Sequence, residues 1–239
     1  MMKTTLFSRL LAGLLVLVAS VALANESVKL DRAPIDPSDN ASMQRGAQHF
    51  VNYCLSCHGA QLVRFNTLQR IGLSDEQIKN NLILTGAKPG DYMSVTLAAK
   101  DAKKWFGVPP PDLSVEARVR GADWLYSYLR SFYRDDSRDS GWNNRVFPQV
   151  AMPHVLVQLQ GEQVLKGEGH ETRLELVRPG KMSPQEYDQF VTDLVNFMGF
   201  IAEPAHQRRI NTGFGVLAFL AFCFVIAYAL KREFWKDIH

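Results

Sequence analysis

Five consecutive residues, Cys54, Leu55, Ser56, Cys57 and His58, set two thiols and an imidazole at a spacing that has mechanical consequences. Two residues between the thiols match the separation of the two vinyl groups of a haem, so each sulfur can add across one vinyl. A histidine directly after the second thiol is carried under the ring by the same turn, where it ligates the iron. Paired cysteines also serve as thioredoxin-like redox pairs, as half of a zinc site or as a plain disulfide. The redox pair needs a βαβ setting, and the residues before Cys54 instead repeat apolar side chains at helical spacing. A zinc site needs a second pair of ligands. The remaining cysteine, Cys223, lies in a long apolar run and reads as a small hydrophobe. The motif is therefore read as the attachment site of one covalent haem c.

The sixth position on the iron separates a carrier from a catalyst: filled, it passes electrons, and open, it binds oxygen, peroxide or a small gas. Methionines 43, 93, 152, 182 and 198 are available beyond the N-terminal leader. Met43 and Met198 fall on apolar helical stripes and read as core, and Met182 directly precedes a helix start. Met93 and Met152 remain. Met152 is preferred because Pro153 stiffens an apolar loop that could hold a weak thioether ligand in place. His154 competes as a ligand, although a histidine so close to a better candidate reads as a surface or supporting group.

These residues need a frame to position them. Residues 42–53 predict a helix that ends at the cysteine motif, with Met43, Ala47, Phe50, Val51 and Cys54 at three- and four-residue spacing. Ser74 and Gln77 form a capping box that opens a short helix to about residue 84. Residues 105–112, which contain three consecutive prolines, predict a rigid loop. Ser114 and Asp123 are expected to cap two helical pieces, the second rich in aromatics (Trp124, Tyr126, Tyr128, Phe132, Tyr133). Residues 135–144 read as a charged loop, and residues 155–160 with 173–177 read as a β-hairpin around a glycine-rich middle. Ser183, Pro184 and Glu186 begin a long helix with the stripe Tyr187, Phe190, Val191, Leu194, Phe197, Met198 and Ile201. Glu203 and Pro204 end it, and a hinge through residues 206–209 follows.

The two ends set the compartment. Residues 1–24 carry Lys3 and Arg9, then an apolar run closing in Ala22, Leu23 and Ala24, the pattern of a secretory signal peptide cleaved before Asn25. Residues 213–230 hold no charge and, at about 1.5 Å per residue, reach about 27 Å, enough with their flanks to span a bilayer. An exported N-terminus with one later span permits one topology, and it puts the body outside. The expected organisation is a signal peptide (1–24), a periplasmic domain (25–207), a transmembrane anchor (208–232) and a cytoplasmic tail (233–239). Across the whole chain 27 basic residues face 24 acidic ones, and removal of Lys3 and Arg9 leaves charge nearly balanced. No basic tract argues for nucleic acid, and three cysteines are too few for a disulfide scaffold.

Gly46 and Phe50 with the 54–58 motif, the string Pro110, Pro111, Asp112, Leu113, Ser114, the aromatic helix after it, Met152 far downstream and a single C-terminal anchor together resemble the cytochrome c1 family. The resemblance covers nearly the whole exported chain. It implies a mainly α, class I cytochrome c-like domain with inserted loops and a small β-hairpin, in which the helix through Gly46 and Phe50 crosses the helix through Phe197. It further implies His58 and Met152 as axial ligands and Arg118 on a haem propionate. The partners it implies are cytochrome b, a Rieske iron–sulfur protein as electron donor, a soluble or anchored cytochrome c as acceptor, membrane lipid and a dimeric complex. The chain would then carry electrons without being an enzyme on its own. Two departures stand out. No proline follows His58 within residues 59–66, so the acceptor for its ring proton is open, with the loop at residues 109–111 as the substitute. Asp135, Asp136 and Asp139 are interleaved with Arg134 and Arg138, which makes a weak dock for a strongly basic acceptor.

Overall fold

Asp39 opens the first helix, α1 (Asn40–Tyr53), by accepting a hydrogen bond from the Ser42 amide at 2.9 Å. The helix thus starts two residues before the expected position, because the cap is an aspartate ahead of the apolar repeat. In this computed structural model residues 28–167 and 172–236 are described. The expected signal peptide and its cleavage site lie outside them, as do the last three residues of the tail. α1 buries Met43, Gly46, Ala47, Phe50 and Val51 along one stripe and ends at Cys54.

After the motif, β1 (Ala60–Arg64) pairs antiparallel with β2 (Tyr92–Met93). Between them lie a 3₁₀ helix (Phe65–Ile71), stopped by Gly72 at φ +90°, and α2 (Asp75–Asn81). The capping box of Ser74 and Gln77 on α2 is present in both directions. The next helix, α3 (Ala99–Phe106), corrects the expected loop, since Trp105 and Phe106 form its last turn. Proline restricts only its immediate predecessor, here Val108, and Gly107 at φ +78° supplies the helix stop. The irregular segment is residues 107–112.

Two short helices follow, α4 (Glu116–Arg120) and α5 (Ala122–Arg130), and neither is capped by the expected side chain. Ser114 instead accepts from the Leu62 amide at 3.0 Å, and Asp123 from the Ala33 amide at 2.8 Å. Long-range partners have claimed both groups. Phe132 and Tyr133, expected on the aromatic helix, belong to β3 (Phe132–Arg134), which pairs with β4 (Trp142–Asn144), so the expected charged loop ends in a strand.

The second hairpin is formed by β5 (Gly161–Lys166) and β6 (Arg173–Pro179), after a single helical turn, α6 (Val157–Gln160). Residues 155–160 are therefore not its first strand. Their alternation misleads because the buried members are Leu156 and Leu159, three apart as on a helix, while Val155 is 41% exposed. The strand starts at Gly161, whose φ of +98° and close approach to Gly180 leave no room for a side chain.

The domain's core is the crossing of α1 with α7 (Pro184–Ala202), as the family resemblance implies. Ser183 and Glu186 form a reciprocal cap, Pro184 occupies the first turn, and every member of the expected stripe is buried. Gly46 sits at the crossing. A Cβ there would collide with the Asp193 carbonyl oxygen and lie 2.6 Å from the Phe197 Cβ. The helices are also joined by a buried polar clasp: the Asp193 carboxylate accepts from Ser42 Oγ at 2.7 Å, Arg45 Nε at 2.6 Å and Gln189 Nε2 at 3.0 Å.

Residues 206–209, expected as a hinge, form the first turn of α8 (His206–Phe234); the break falls at Glu203 and Pro204 instead. α8 has 29 residues, a mean hydropathy of 2.4 over its apolar window and no buried residue. At about 1.5 Å per residue it reaches about 43 Å, so it can cross the roughly 30 Å hydrocarbon core with a turn or more to spare at the ends.

Candidate functional site

Cys54 ends α1, and the chain then tightens so that the amides of Cys57 and His58 both donate to the Cys54 carbonyl, at 3.0 and 2.8 Å. This turn presents the two sulfurs and the imidazole from one short arc. Both thiols are free, so the pair is not closed as a disulfide. Burial, with a smaller contribution from Cys57, pushes the Cys54 thiol up to about 12, whereas a redox-active pair depends on a thiol moved down. Among the described residues no three His, Cys, Asp or Glu side chains gather as a metal site.

The His58 imidazole donates from Nδ1 to the Pro111 carbonyl at 2.8 Å. That bond fixes the tautomer and leaves Nε2 with its lone pair. The triple-proline loop therefore supplies the acceptor that no proline after His58 provides. Burial lowers the His58 pKa, with the Pro111 bond and the charges of Glu116 and Asp112 opposing it. The loop itself is sewn to the segment after the motif. Leu113 N donates to Gly59 O at 2.8 Å, Gln61 N to Asp112 Oδ2 at 2.8 Å, and Leu62 N to Ser114 Oγ at 3.0 Å. Asp112 Oδ1 also accepts from the Ser114 amide at 2.9 Å. Asp112 and Ser114 thus position the loop that carries Pro111, a role that reading the sequence did not give them. An aspartate two residues before a serine, directly after prolines, is the turn pattern that marks them.

A second group of residues surrounds Met152. Its half-buried thioether receives the Tyr128 hydroxyl at 3.3 Å. Tyr128 stacks on Trp124 with ring centroids 4.8 Å apart and meets Phe132 edge-on at 5.1 Å. Phe132 in turn lies parallel to His154 at 5.0 Å, and Trp142 meets that imidazole edge-on at 5.0 Å. Of the two readings of His154, surface or supporting group, burial removes the first: it is 4% exposed, and burial pushes its imidazole down to about 4. Burial likewise raises the Tyr128 hydroxyl and keeps it a neutral donor. Of the other methionines, Met43 and Met198 are core as expected, and Met93, the alternative ligand, is fully buried in β2 opposite Ala60.

The two groups are joined through the chain between them: the loop holding His58 runs into α4 and α5, and α5 carries Tyr128. Arg118 projects from α4 into solvent, with no side-chain hydrogen bond to another described residue. Arg120, two residues on, is engaged instead, bonded to Glu116 at 3.1 Å and lying 4.7 Å over the Trp124 ring.

Two free thiols on one turn, an imidazole whose Nδ1 is already satisfied and a thioether in an aromatic pocket form a donor set that fits a covalent haem. The sequence matches the Cytochrome C1 family over residues 31–238. It is 54% identical over 217 residues to the ammonia monooxygenase gamma subunit of Nitrosomonas europaea, covering 90% of this chain and 92% of that one. It is 45% identical over 240 residues to cytochrome c1 of Allochromatium vinosum, covering 96% and 98%. Cytochrome c1 of Rhodospirillum rubrum is 25% identical over 285 residues, with 98% and 99% covered. Cys54 and Cys57 carry a single haem c, and α8 makes the protein a single-pass component of the bacterial inner membrane with its haem domain on the periplasmic side. A membrane-anchored c-type cytochrome with a role in respiratory electron transfer, the chain belongs to the cytochrome c1 family.

Proposed function

We propose that this chain takes one electron at a time from a Rieske iron–sulfur protein and delivers it to a periplasmic cytochrome c, within a dimeric quinol-oxidising complex whose cytochrome b packs against α8. His58 and Met152 would be the axial ligands and Arg118 the partner of a haem propionate. The bound haem supplies a reversible one-electron couple, tuned by its axial ligands. What the chain supplies is orientation and exclusion of water. Pro111 turns the His58 ring, Tyr128 holds the thioether of Met152, and the rings of Trp124 and Phe132 wall that side with apolar surface. Among the described residues Arg118 makes no side-chain hydrogen bond, while Arg120 is committed to Glu116 and Trp124, which suits Arg118 to an anionic group brought by the cofactor.

The single observation that carries this reading is the His58 to Pro111 hydrogen bond, which leaves one imidazole nitrogen available in a turn that already presents two thiols. The proposed boundaries follow the same logic: cleavage after Ala24, a haem domain over residues 25–207, an anchor over 208–232 and a tail over 233–239 inside. Arg134 lies 3.9 Å from Asp136 and the charge of Arg138 acts on Asp135, so the negative charge of this face is offset by interleaved cations. The acceptor should therefore not be a strongly basic protein. Purification of the native complex tests the assignment. Cytochrome b and a Rieske protein in the subunit list, with quinol reducing this haem, support it. Recovery with monooxygenase subunits instead would favour a role suggested by the name of the Nitrosomonas relative.

A further inference from the structure

The strongest unused feature is the buried imidazole of His154. It is two residues from Met152, across a proline that contributes no amide donor. The backbone on its far side is fixed, since Val157 N donates to the His154 carbonyl at 3.2 Å. Its ring fills the gap between Phe132 and Trp142, and Phe132 touches Tyr128, which holds the Met152 sulfur. Met152 is therefore connected to His154 twice, once along the backbone and once through two aromatic rings.

We propose that His154 is a positioning residue for Met152, a plug that pins the loop to the aromatic wall and so keeps the thioether at the haem. Packing alone would be met by a phenyl ring, yet the site holds an imidazole with Nε2 buried and without a partner. The Gln160 Oε1 atom is buried and unpartnered as well. Gln160 Nε2 donates to the Arg130 carbonyl at 3.0 Å, which orients that amide. One orphan is a donor in the Nε2–H tautomer and the other an acceptor, so the two are complementary. Paired with each other, the two would set the plane of the ring, which lies parallel to Phe132. His154 thereby acts on the iron only through Met152, and the inference rests on the proposal that Met152 is a ligand.

The test uses the full-length, haem-loaded protein in membranes or detergent and compares Met152→Ala, His154→Ala and His154→Leu with the parent. Readouts are the far-red charge-transfer band of ferric iron bound to a thioether, the midpoint potential, and carbon monoxide binding to the reduced form. His154→Ala is expected to weaken the band, lower the potential and raise carbon monoxide affinity by about tenfold or more, the usual scale for removing a group that orients a ligand. His154→Leu keeps most of the volume but not the plane, and should move all three readouts the same way by less, so it serves if the alanine variant does not mature. Parent-like values for all three readouts in His154→Leu overturn the proposal provided Met152→Ala changes them. If Met152→Ala itself leaves them unchanged, it is the ligand assignment that fails.

Discussion

His58 is fastened by hydrogen bonds to backbone a few residues away and to one loop, whereas Met152 meets the hydroxyl of Tyr128, one of a group of packed aromatic rings drawn from α5, β3 and β4. On the histidine side, four hydrogen bonds among residues 59–62 and 111–114, with the His58 bond to Pro111, fix direction as well as distance. On the methionine side one weak O–H···S contact is supported by ring packing, which is strong in sum but tolerant in orientation. The first kind of support suits the side where covalent chemistry must occur in register. The second suits a thioether that, as the proposed ligand, need only be kept close. Substitutions on the two sides should therefore fail differently: histidine-side changes lose attachment or order, and methionine-side changes retain the haem and alter its potential.

The largest effect is expected from Cys54→Ala combined with Cys57→Ala. The product should show no covalent haem by peroxidase staining of a denaturing gel, while Met152→Ala should stain as the parent does. Equal staining in the double cysteine variant would remove the distinction altogether.

The frame common to both sides comes next. Burial alone would raise the Asp193 carboxyl, but hydrogen bonds from Arg45 and Ser42 outweigh it and hold it below the usual carboxylate value of 3.8. Because the folded value lies below the unfolded one, this stabilisation is complete above pH about 4 and is lost as pH falls through the folded value. Asp193→Ala should cost about 2–3 kcal/mol, less than a fully enclosed ion pair because Arg45 is half exposed. It should also flatten the acid limb of a melting-temperature profile. A profile unchanged below pH 4 would show that the clasp does not couple the two helices.

Asp112→Ala removes the acceptor of two backbone amides, those of Gln61 and Ser114. The residue is exposed, so water replaces part of what is lost, and about 1–2 kcal/mol is expected. The loss should be local: amide exchange accelerates at residues 61–62 and 113–114, while the Met152 band stays as in the parent. A change at Met152 instead would mean that the two sides are one mechanical unit.

Much of this arrangement is legible in the sequence because it is local. The 54–58 spacing, the Ser74 and Ser183 caps and the stripe from Tyr187 to Ile201 each rest on contacts within a turn or two. What is not legible is long-range competition for polar groups. Ser114 and Asp123 look like helix caps because nothing nearby says that Leu62 and Ala33 will claim them. The turn at residues 157–160 alternates like a strand until the burial of Leu156 and Leu159 shows its period to be helical. His154 looks like a surface histidine because Phe132 and Trp142, which enclose it, come from strands more than ten residues earlier. The Pro111 carbonyl lies between these cases: three prolines mark a rigid loop, and the missing proline after His58 marks a vacancy that such a loop could fill.

The smallest predicted effect bears most directly on how the methionine side works. Tyr128→Phe removes only the hydroxyl that donates to Met152 Sδ, leaving the rings against Trp124 and Phe132 in place. If packing holds Met152, the variant keeps its thioether band and loses about 0.5–1.5 kcal/mol of stability at most, the net worth of one hydrogen bond. With Met152 as the proposed ligand, its potential should shift only slightly downward, because a thioether relieved of a donor gives more of its lone pair to the iron and so favours the oxidised state. If the hydroxyl were instead the restraint, the band would be lost and carbon monoxide would bind readily, as in Met152→Ala. Redox titration and carbon monoxide binding of this one variant thus decide whether ring packing or a directed bond holds the thioether, which is the difference that sets this side of the haem apart from His58.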